Sequence, residues 1–296
     1  MLGVGGAAAV AEEQQLAAGV DGARADLDQT REIARQSRLS QDIAQTQIQV
    51  STGKRLQRAS DDPIASARVA ALRTTQANVV VWGGNINVAR TLTAQADGVL
   101  KSASDLLGRA KVLALSASNG TLAAADRAAI SLELSAIADE LDLLGATDSN
   151  LGEPLFATES ARLMRFDSDA LFAPVPARAA LFDIGGQSAA QHVRDAASAI
   201  GAGNSTTIAT SLTALDGAIN QMATAQAQIG INASRLERLA EVHAERGITI
   251  AAERSSLEDT DLTAAIAKLN AQTITLEAAQ AAFARINRRT LFDILG

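Results

Sequence analysis

The chain has 296 residues, a net charge of −7 and no cysteine, so a disulfide framework and a thiolate metal site are both excluded. The acidic balance argues against a nucleic-acid partner, which calls for a basic face. Hydrophobic residues make up 47%, many of them Ala, against 2% aromatics and 4 Pro. This composition suits long slender helices rather than a compact core of large side chains.

Met1 to Ala11 is apolar and small, lacks a basic start and runs into Glu12-Glu13, so it does not read as a conventional secretory signal. A protein of this kind acting outside the cell would leave by another route. Residues 1–20 are rich in Gly and Ala and carry no further signal. Asp26 to Val50 is a helical stretch with Ile33, Leu39, Ile43 and Val50 as its larger apolar residues in a Gln-, Ser-, Thr- and Arg-rich setting. That is too polar for a buried helix and too regular for a loop. Gly53 interrupts it. Ser60-Asp61-Asp62-Pro63 is a helix start: Asp62 caps, and Pro63 fits the first turn, where no donor is needed.

A long helical region follows to about Ser118, with Gly83-Gly84 and Asp97-Gly98 as expected breaks or bends. Within it Val99, Ala103, Leu106, Ala110, Leu113 and Ala117 alternate in steps of four and three. Asn119 and Gly120 mark a turn. The next helix is predicted over 124–144, with Ile130, Leu134, Ile137, Leu141 and Leu144 on one stripe. Residues 149–185 carry helix breakers and the short apolar knots Leu155-Phe156, Leu171-Phe172 and Leu181-Phe182. They predict two or three short strands or hairpins forming a cap. Between Asp126 and Asp169 ten acidic residues face three basic ones, so the rest of the chain is neutral overall. The simplest account of that stretch is a solvated helix face.

Helices are predicted over about 187–200 and 206–253, the latter carrying Ile219, Met222, Ile229, Leu236 and Leu239, with a break and cap over Ser255–Asp261. The last helix holds Leu262, Ile266, Leu269, Thr273, Leu276, Gln280 and Phe283 in a four–three seam. A helix of about 30 residues is about 45 Å long and needs another long helix to bury such a seam. It ends in an apolar hook of Leu291, Phe292, Ile294 and Leu295.

No catalytic constellation stands out. His192 and His243 have no His-Glu-x-x-His spacing. Ser51-x-x-Lys54 has the spacing of a serine acylase but none of its companion motifs. The glycines of Gly3-Val4-Gly5-Gly6 lack the context of a dinucleotide loop. No run of about 18 apolar residues is present, so membrane insertion is not expected. Enzyme activity, cofactor and metal are therefore not expected. The fold expected is mainly α, an elongated bundle of long antiparallel helices with terminal coiled-coil helices and a small β-hairpin region in the middle.

Ser51-Thr52-Gly53-Lys54-Arg55-Leu56, followed by Ala59-Ser60-Asp61-Asp62-Pro63-Ile64-Ala65, closely resembles the N-terminal signature of the bacterial flagellin superfamily. Ser118-Asn119-Gly120-Thr121 with Asp126-Arg127 resembles the turn between that family's second and third helices. Leu257-Glu258-Asp259-Thr260-Asp261 resembles the start of its C-terminal helix. The resemblance covers about 33–156 and 210–296. Within the superfamily, Lys54, Gly152-Glu153-Pro154-Leu155-Phe156-Ala157 and the Leu291–Leu295 end are more similar to the members at the hook–filament junction than to filament flagellins. Pro154 stands where those members carry an aromatic. The head of the chain is longer than the family's usual one and residues 1–20 match nothing in it, as from a misassigned start or an unusual tip. The middle is short, so an additional outer domain is expected to be missing.

The resemblance implies a structural flagellar subunit, exported by the flagellar type III system and polymerising to connect hook to filament. A filament flagellin is the alternative. It implies a homo-oligomeric ring or tube, with a neighbouring hook-associated protein, filament flagellin and an export chaperone as partners. It places the protein in the extracellular flagellum, and in the cytoplasm before export. The domains expected are an inner coiled coil of 1–58 with 255–296, and a rod-like helical core of 59–254 with a β insert at about 149–185. Assembly contacts are expected from Ile33, Leu39, Ile43, Val50, Leu262, Ile266, Leu269, Leu276, Phe283, Ile286, Leu291, Phe292, Ile294 and Leu295. Turn and cap roles fall to Gly53, Ser60, Asp61, Asp62, Pro63, Asn119 and Gly120.

Overall fold

The computed structural model describes the backbone of residues 5–120 and 122–295, and the side chains of 27, 29–120 and 122–285. The fold is mainly α. Four long helices dominate it: α1 (Gly5–Thr52), α2 (Pro63–Ala117), α6 (Ser205–Glu258) and α7 (Leu262–Leu295). Three shorter helices, α3 (Ala124–Gly145), α4 (Arg178–Phe182) and α5 (Ala189–Ala202), accompany two minimal antiparallel ladders. In the first, β1 (Met164–Arg165) pairs with β2 (Leu171–Phe172); in the second, β3 (Asp183–Ile184) pairs with β4 (Gln187–Ser188). The chain divides into two compact units, Met1–Leu72 with Ala251–Gly296, and Arg73–Ile250.

The central unit is built from the predicted stripes. On α2, Leu100, Ala103, Leu107, Ala110, Ala114 and Ala117 are buried, with Val99, Leu106 and Leu113 packed at their edge. The buried set is wider than the expected seam because α2 has two neighbours. Arg109 Nε reaches Glu133 on α3 (3.1 Å), and Lys111 Nζ reaches Asp216 on α6 (2.5 Å). On α3, Leu134, Ile137 and Leu141 are buried and Ile130 and Leu144 half-buried. On α6, Met222, Ile229 and Leu236 are buried. Buried Ala on α5 lets α3 and α5 approach closely, tied by Ser131 Oγ to the Ala197 carbonyl (2.8 Å) and by Arg194 to Asp139 and Asp142.

Several boundaries differ from those expected. α2 runs unbroken through Gly83-Gly84 and Gly98. A Cβ at any of these glycines would meet open space, and none has a positive φ. Glycine inside a helix costs about 1 kcal/mol but does not by itself break it when packing on either side holds the turn. α6 passes through Ser255 and Ser256 to Glu258. Ser256 satisfies its hydroxyl on the Glu253 carbonyl one turn back (2.8 Å) and so stays helical. Residues 187–188 are a strand rather than the start of α5, whose cap is Ser188 accepting from the Gln191 amide (3.2 Å).

In the insert, the third apolar knot is helical, α4, rather than extended. Its Leu181 and Phe182 are buried, with the Phe182 ring edge-on to Phe156 at 5.2 Å. Gly203 (φ 70°) ends α5 in the left-handed conformation, and Asn204 Oδ1 caps α6 by accepting from the Thr206 amide (3.0 Å).

Leu107 has no exposed surface, whereas Leu115 on the same helix is half exposed. Leu107→Ala is expected to cost about 2–5 kcal/mol, and Leu115→Ala about 0.5 kcal/mol or less. Guanidinium unfolding followed by circular dichroism measures both, and equal losses would contradict this core assignment.

Candidate functional site

The terminal unit is organised by two chain breaks that pair with each other. After α1, Gly53 adopts φ 69°, a region open to glycine at no steric cost. Its carbonyl accepts from the Thr260 amide (2.8 Å), and the Arg55 amide donates to the Glu258 carbonyl (2.7 Å). Lys54 and Asp259 form an antiparallel bridge. The Glu258 side chain is buried and carries its charge between Lys54 Nζ (3.5 Å) and Arg254 Nη2 (3.2 Å). A buried carboxylate requires such partners. Of the acylase-like pair, Lys54 thus faces Glu258, and Ser51 is exposed.

The stretch between α1 and α2 is closed by its own side chains. Asp61 Oδ2 accepts from the Gln57 and Arg58 amides (3.0 and 2.8 Å). Gln57 Nε2 donates to Thr52 Oγ1 (2.6 Å) and the Lys54 carbonyl (2.9 Å). Asp62 Oδ1 caps α2 by accepting from the Ala65 amide (3.0 Å), and Pro63 is the first helical residue. The Ala65 amide, then the nearby Arg55 guanidinium, hold the Asp62 carboxyl below the ordinary aspartate value. Ser60 lies exposed beside them. At the α2–α3 turn the Asn119 carbonyl accepts from the Leu122 amide (3.2 Å), and Gly120 is exposed.

From these breaks α1 and α7 run antiparallel. Their facing positions on α1 are Glu32, Gln36, Leu39, Ile43, Thr46 and Val50, and on α7 Ala265, Leu269, Gln272, Leu276, Ala279 and Phe283. Both series step by four and three. A polar layer crosses the seam where the Thr46 hydroxyl lies 3.0 Å from Gln272 Oε1.

The expected seam is therefore corrected at its polar positions. Thr273 and Gln280 are exposed, and Gln272 and Ala279 face α1 instead. The two four–three series share Leu269, Leu276 and Phe283, and only the partner helix decides between them. Leu39, Ile43 and Val50 are half-buried against α7. Ile33, Leu262 and Ile266 point outward, with 54%, 47% and 46% of their surface exposed. Ile286, Leu291, Phe292, Ile294 and Leu295 lie outside the residues whose side chains are described. Sequence reasoning missed Thr46, Ala265, Gln272 and Glu258. Only Glu258 had a signal, its place in the motif preceding the last helix.

Among the described residues no group of three His, Asp or Glu could hold a metal ion, and no helix is long and apolar enough to cross a membrane. The geometry is that of a helix-pairing surface.

Comparison with known proteins agrees with this geometry. A family model described as the bacterial flagellin N-terminal helical region matches residues 27–161, and one described as the bacterial flagellin C-terminal helical region matches 212–295. The chain belongs to the bacterial flagellin family. The flagellar hook-associated protein 3 of Escherichia coli (strain K12) is 27% identical over 293 residues, covering 83% of this chain and 90% of that protein. The flagellar hook-associated protein 3 of Salmonella typhimurium (strain LT2) is 35% identical over 124 residues, 40% of this chain and 38% of that protein. The crystal structure of flagellar hook-associated protein 3 from Legionella pneumophila shares the fold. It superposes with a TM-score of 0.59 at 11% identity, covering 64% of this chain and 98% of that one.

Two outcomes follow from the paired breaks. Glu258→Ala leaves Lys54 and Arg254 without their shared buried acid. It is expected to destabilise the terminal unit by about 2 kcal/mol, less than the loss from a fully buried pair because Lys54 is half exposed. Denaturant unfolding of the variant measures this, and an unchanged midpoint would refute it. For Asp62, the folded-state value is lowered, so its contribution is complete above the ordinary aspartate range of about 3.9 and fades as the pH falls through the lowered value. Asp62→Asn should therefore show less acid sensitivity at the start of α2 than the natural chain, read by amide exchange of residues 63–68.

Proposed function

We propose that this protein is a structural subunit of the bacterial flagellum that polymerises at the hook–filament junction and connects hook to filament. The observation that carries the reading is the terminal helix pair, seen beside a flagellar hook-associated relative matched over 90% of its length. In one copy that pair buries a seam containing Glu32, Gln36, Thr46 and Gln272, while Ile33, Leu262 and Ile266 stay outward. A half-polar seam with an exposed apolar second face gains stability when further helices cover it. The subunit is exported by the flagellar type III system and becomes part of the extracellular flagellum.

Its partners are further copies of itself in a ring or tube, a neighbouring hook-associated protein, filament flagellin, and an export chaperone before secretion. Nucleic acid and membrane have no part in this reading, and neither does catalysis. The inner domain comprises 1–58 and 255–296, around the break pairing at Gly53 and Thr260. The apolar hook of Leu291, Phe292, Ile294 and Leu295 contributes to incorporation.

Electron microscopy of a strain lacking this chain tests the reading. Hooks without attached filaments are expected, with unpolymerised filament subunits in the medium. Complementation with Ile33→Asp/Ile266→Asp is expected to restore secretion of the variant but not filament attachment. Filaments of normal length in the deletion strain would overturn the proposal.

A further inference from the structure

The β1–β2 hairpin is attached to α2 and α6 by specific contacts. Phe166 is fully buried in a small apolar cluster with Ile86 and Ala89 of α2 and Leu236 of α6. The Phe172 ring lies 4.6 Å from it, with the Arg235 guanidinium 4.0 Å above Phe172. Asn85 on α2 donates to the Arg165 carbonyl (2.8 Å). One turn of α6 grips two successive hairpin residues: His243 Nε2 sits 2.7 Å from the Phe166 carbonyl, and Arg246 Nη1 sits 3.2 Å from Asp167 Oδ2.

His243 is 4% exposed. A carbonyl only accepts, so Nε2 carries the ring proton in this contact. The other nitrogen, Nδ1, is buried and has no hydrogen-bond partner. The ring stands 5.6 Å from that of Trp82, the only tryptophan of the chain. Few charges face it. The hairpin presents Asp167, which Arg246 already engages, and Arg165, whose guanidinium turns to the Ser168 carbonyl (2.8 Å). α2 presents Trp82; on α6 itself Glu241 and Glu245 flank His243 in sequence and lie exposed, and farther off Arg90 of α2 and Glu237 of α6 are paired with each other.

We propose that His243 is a proton-sensitive latch: the neutral ring docks the β1–β2 hairpin on α6, and uptake of a second proton at buried Nδ1 releases it. The second proton would place a charge and an unmatched N–H in an enclosed apolar slot, which costs more than the neutral ring. The Asp167 carboxylate offers limited relief, because its charge is balanced by Arg246. Burial alone would raise the Asp167 carboxyl, but the Ser168 amide and Arg246 outweigh it and hold that group below the ordinary aspartate value. Asp167 therefore keeps its charge beside Arg246. Docking that requires the neutral ring is weakened by acid and restored by base. Release would bare Phe166 and Phe172 together.

The test uses the full chain. Hydrogen–deuterium exchange of 164–172 is compared at about pH 8 and about pH 5, corrected for intrinsic exchange, alongside Trp82 fluorescence. Protection of the hairpin is expected to fall about tenfold or more, with Trp82 emission changing along the same curve. His243→Gln retains an uncharged donor and is expected to stay protected at both values. Unchanged protection in the natural chain at the lower pH, or an equal loss in His243→Gln, overturns the proposal. Should that variant not fold, imidazole nitrogen resonances of the natural chain decide: a doubly protonated His243 beside a protected hairpin also overturns it, and a shared midpoint supports it.

Discussion

The pairing of Gly53–Arg55 with Glu258–Thr260 is the constraint on which the terminal unit depends. Lys54 and Glu258 are 204 positions apart in the chain, yet they start α7 beside the end of α1 in a fixed register. Closing so long a loop costs only slightly more than closing a shorter one. The pairing itself supplies two short backbone hydrogen bonds and a buried acid between two bases. Gly53 allows the left-handed turn, Asp61 ties the following loop, and Asp62 starts the next helix. One short motif thus performs three tasks that must occur together.

The central unit solves a different problem with the same amino acids. It has few aromatic residues, and Phe156, Phe166 and Phe182 are buried in or against the insert rather than along the long helices. Elsewhere Ala alternates with Leu, Ile and Met, so helices approach closely and each large side chain fills the space a small one leaves. The acidic run is partly structural as well. Glu133, Asp139 and Asp142 meet Arg109, Arg194 and Arg178 across helix boundaries. The expected solvated face therefore also contributes neighbouring-helix contacts, each of modest worth at such exposure.

Much of the fold was legible in the sequence. The stripes on α3 and α6 follow from their spacing, and the α2 cap from Asp62-Pro63. What was not legible depends on neighbours. Gly83-Gly84 reads as a break until packing on both sides is known. Leu181-Phe182 reads as a strand, although five residues of helix bury it equally well. In α7, Thr273 and Gln272 are adjacent, and a pattern drawn through large residues passes over Ala265 and Ala279. The outward placement of Ile33 and Ile266 follows from the same choice of series and has no signature of its own. Glu258 was visible in a motif, but its role needed Lys54 brought back from the far end of the chain.

The contrast between the units bears on how such a chain works. The central unit has a core enclosed within one copy, with Leu100, Leu107, Leu134, Leu215 and Met222 wholly buried, beside exposed apolar side chains such as Leu132 and Leu143. Among the described residues of α1 and α7, only Thr46 and Ala265 are buried. The inward face of this terminal pair is interrupted by Thr46 and Gln272, and its outward face keeps Ile33, Leu262, Ile266 and Ile274 in water. Polar layers in a seam lower stability and fix register. A register fixed by Thr46 and Gln272 gives every copy the same outward apolar pattern, which is what the proposed lateral association of copies would require. A fully apolar inner seam would hold the pair more tightly but leave its register, and so the outer pattern, less determined.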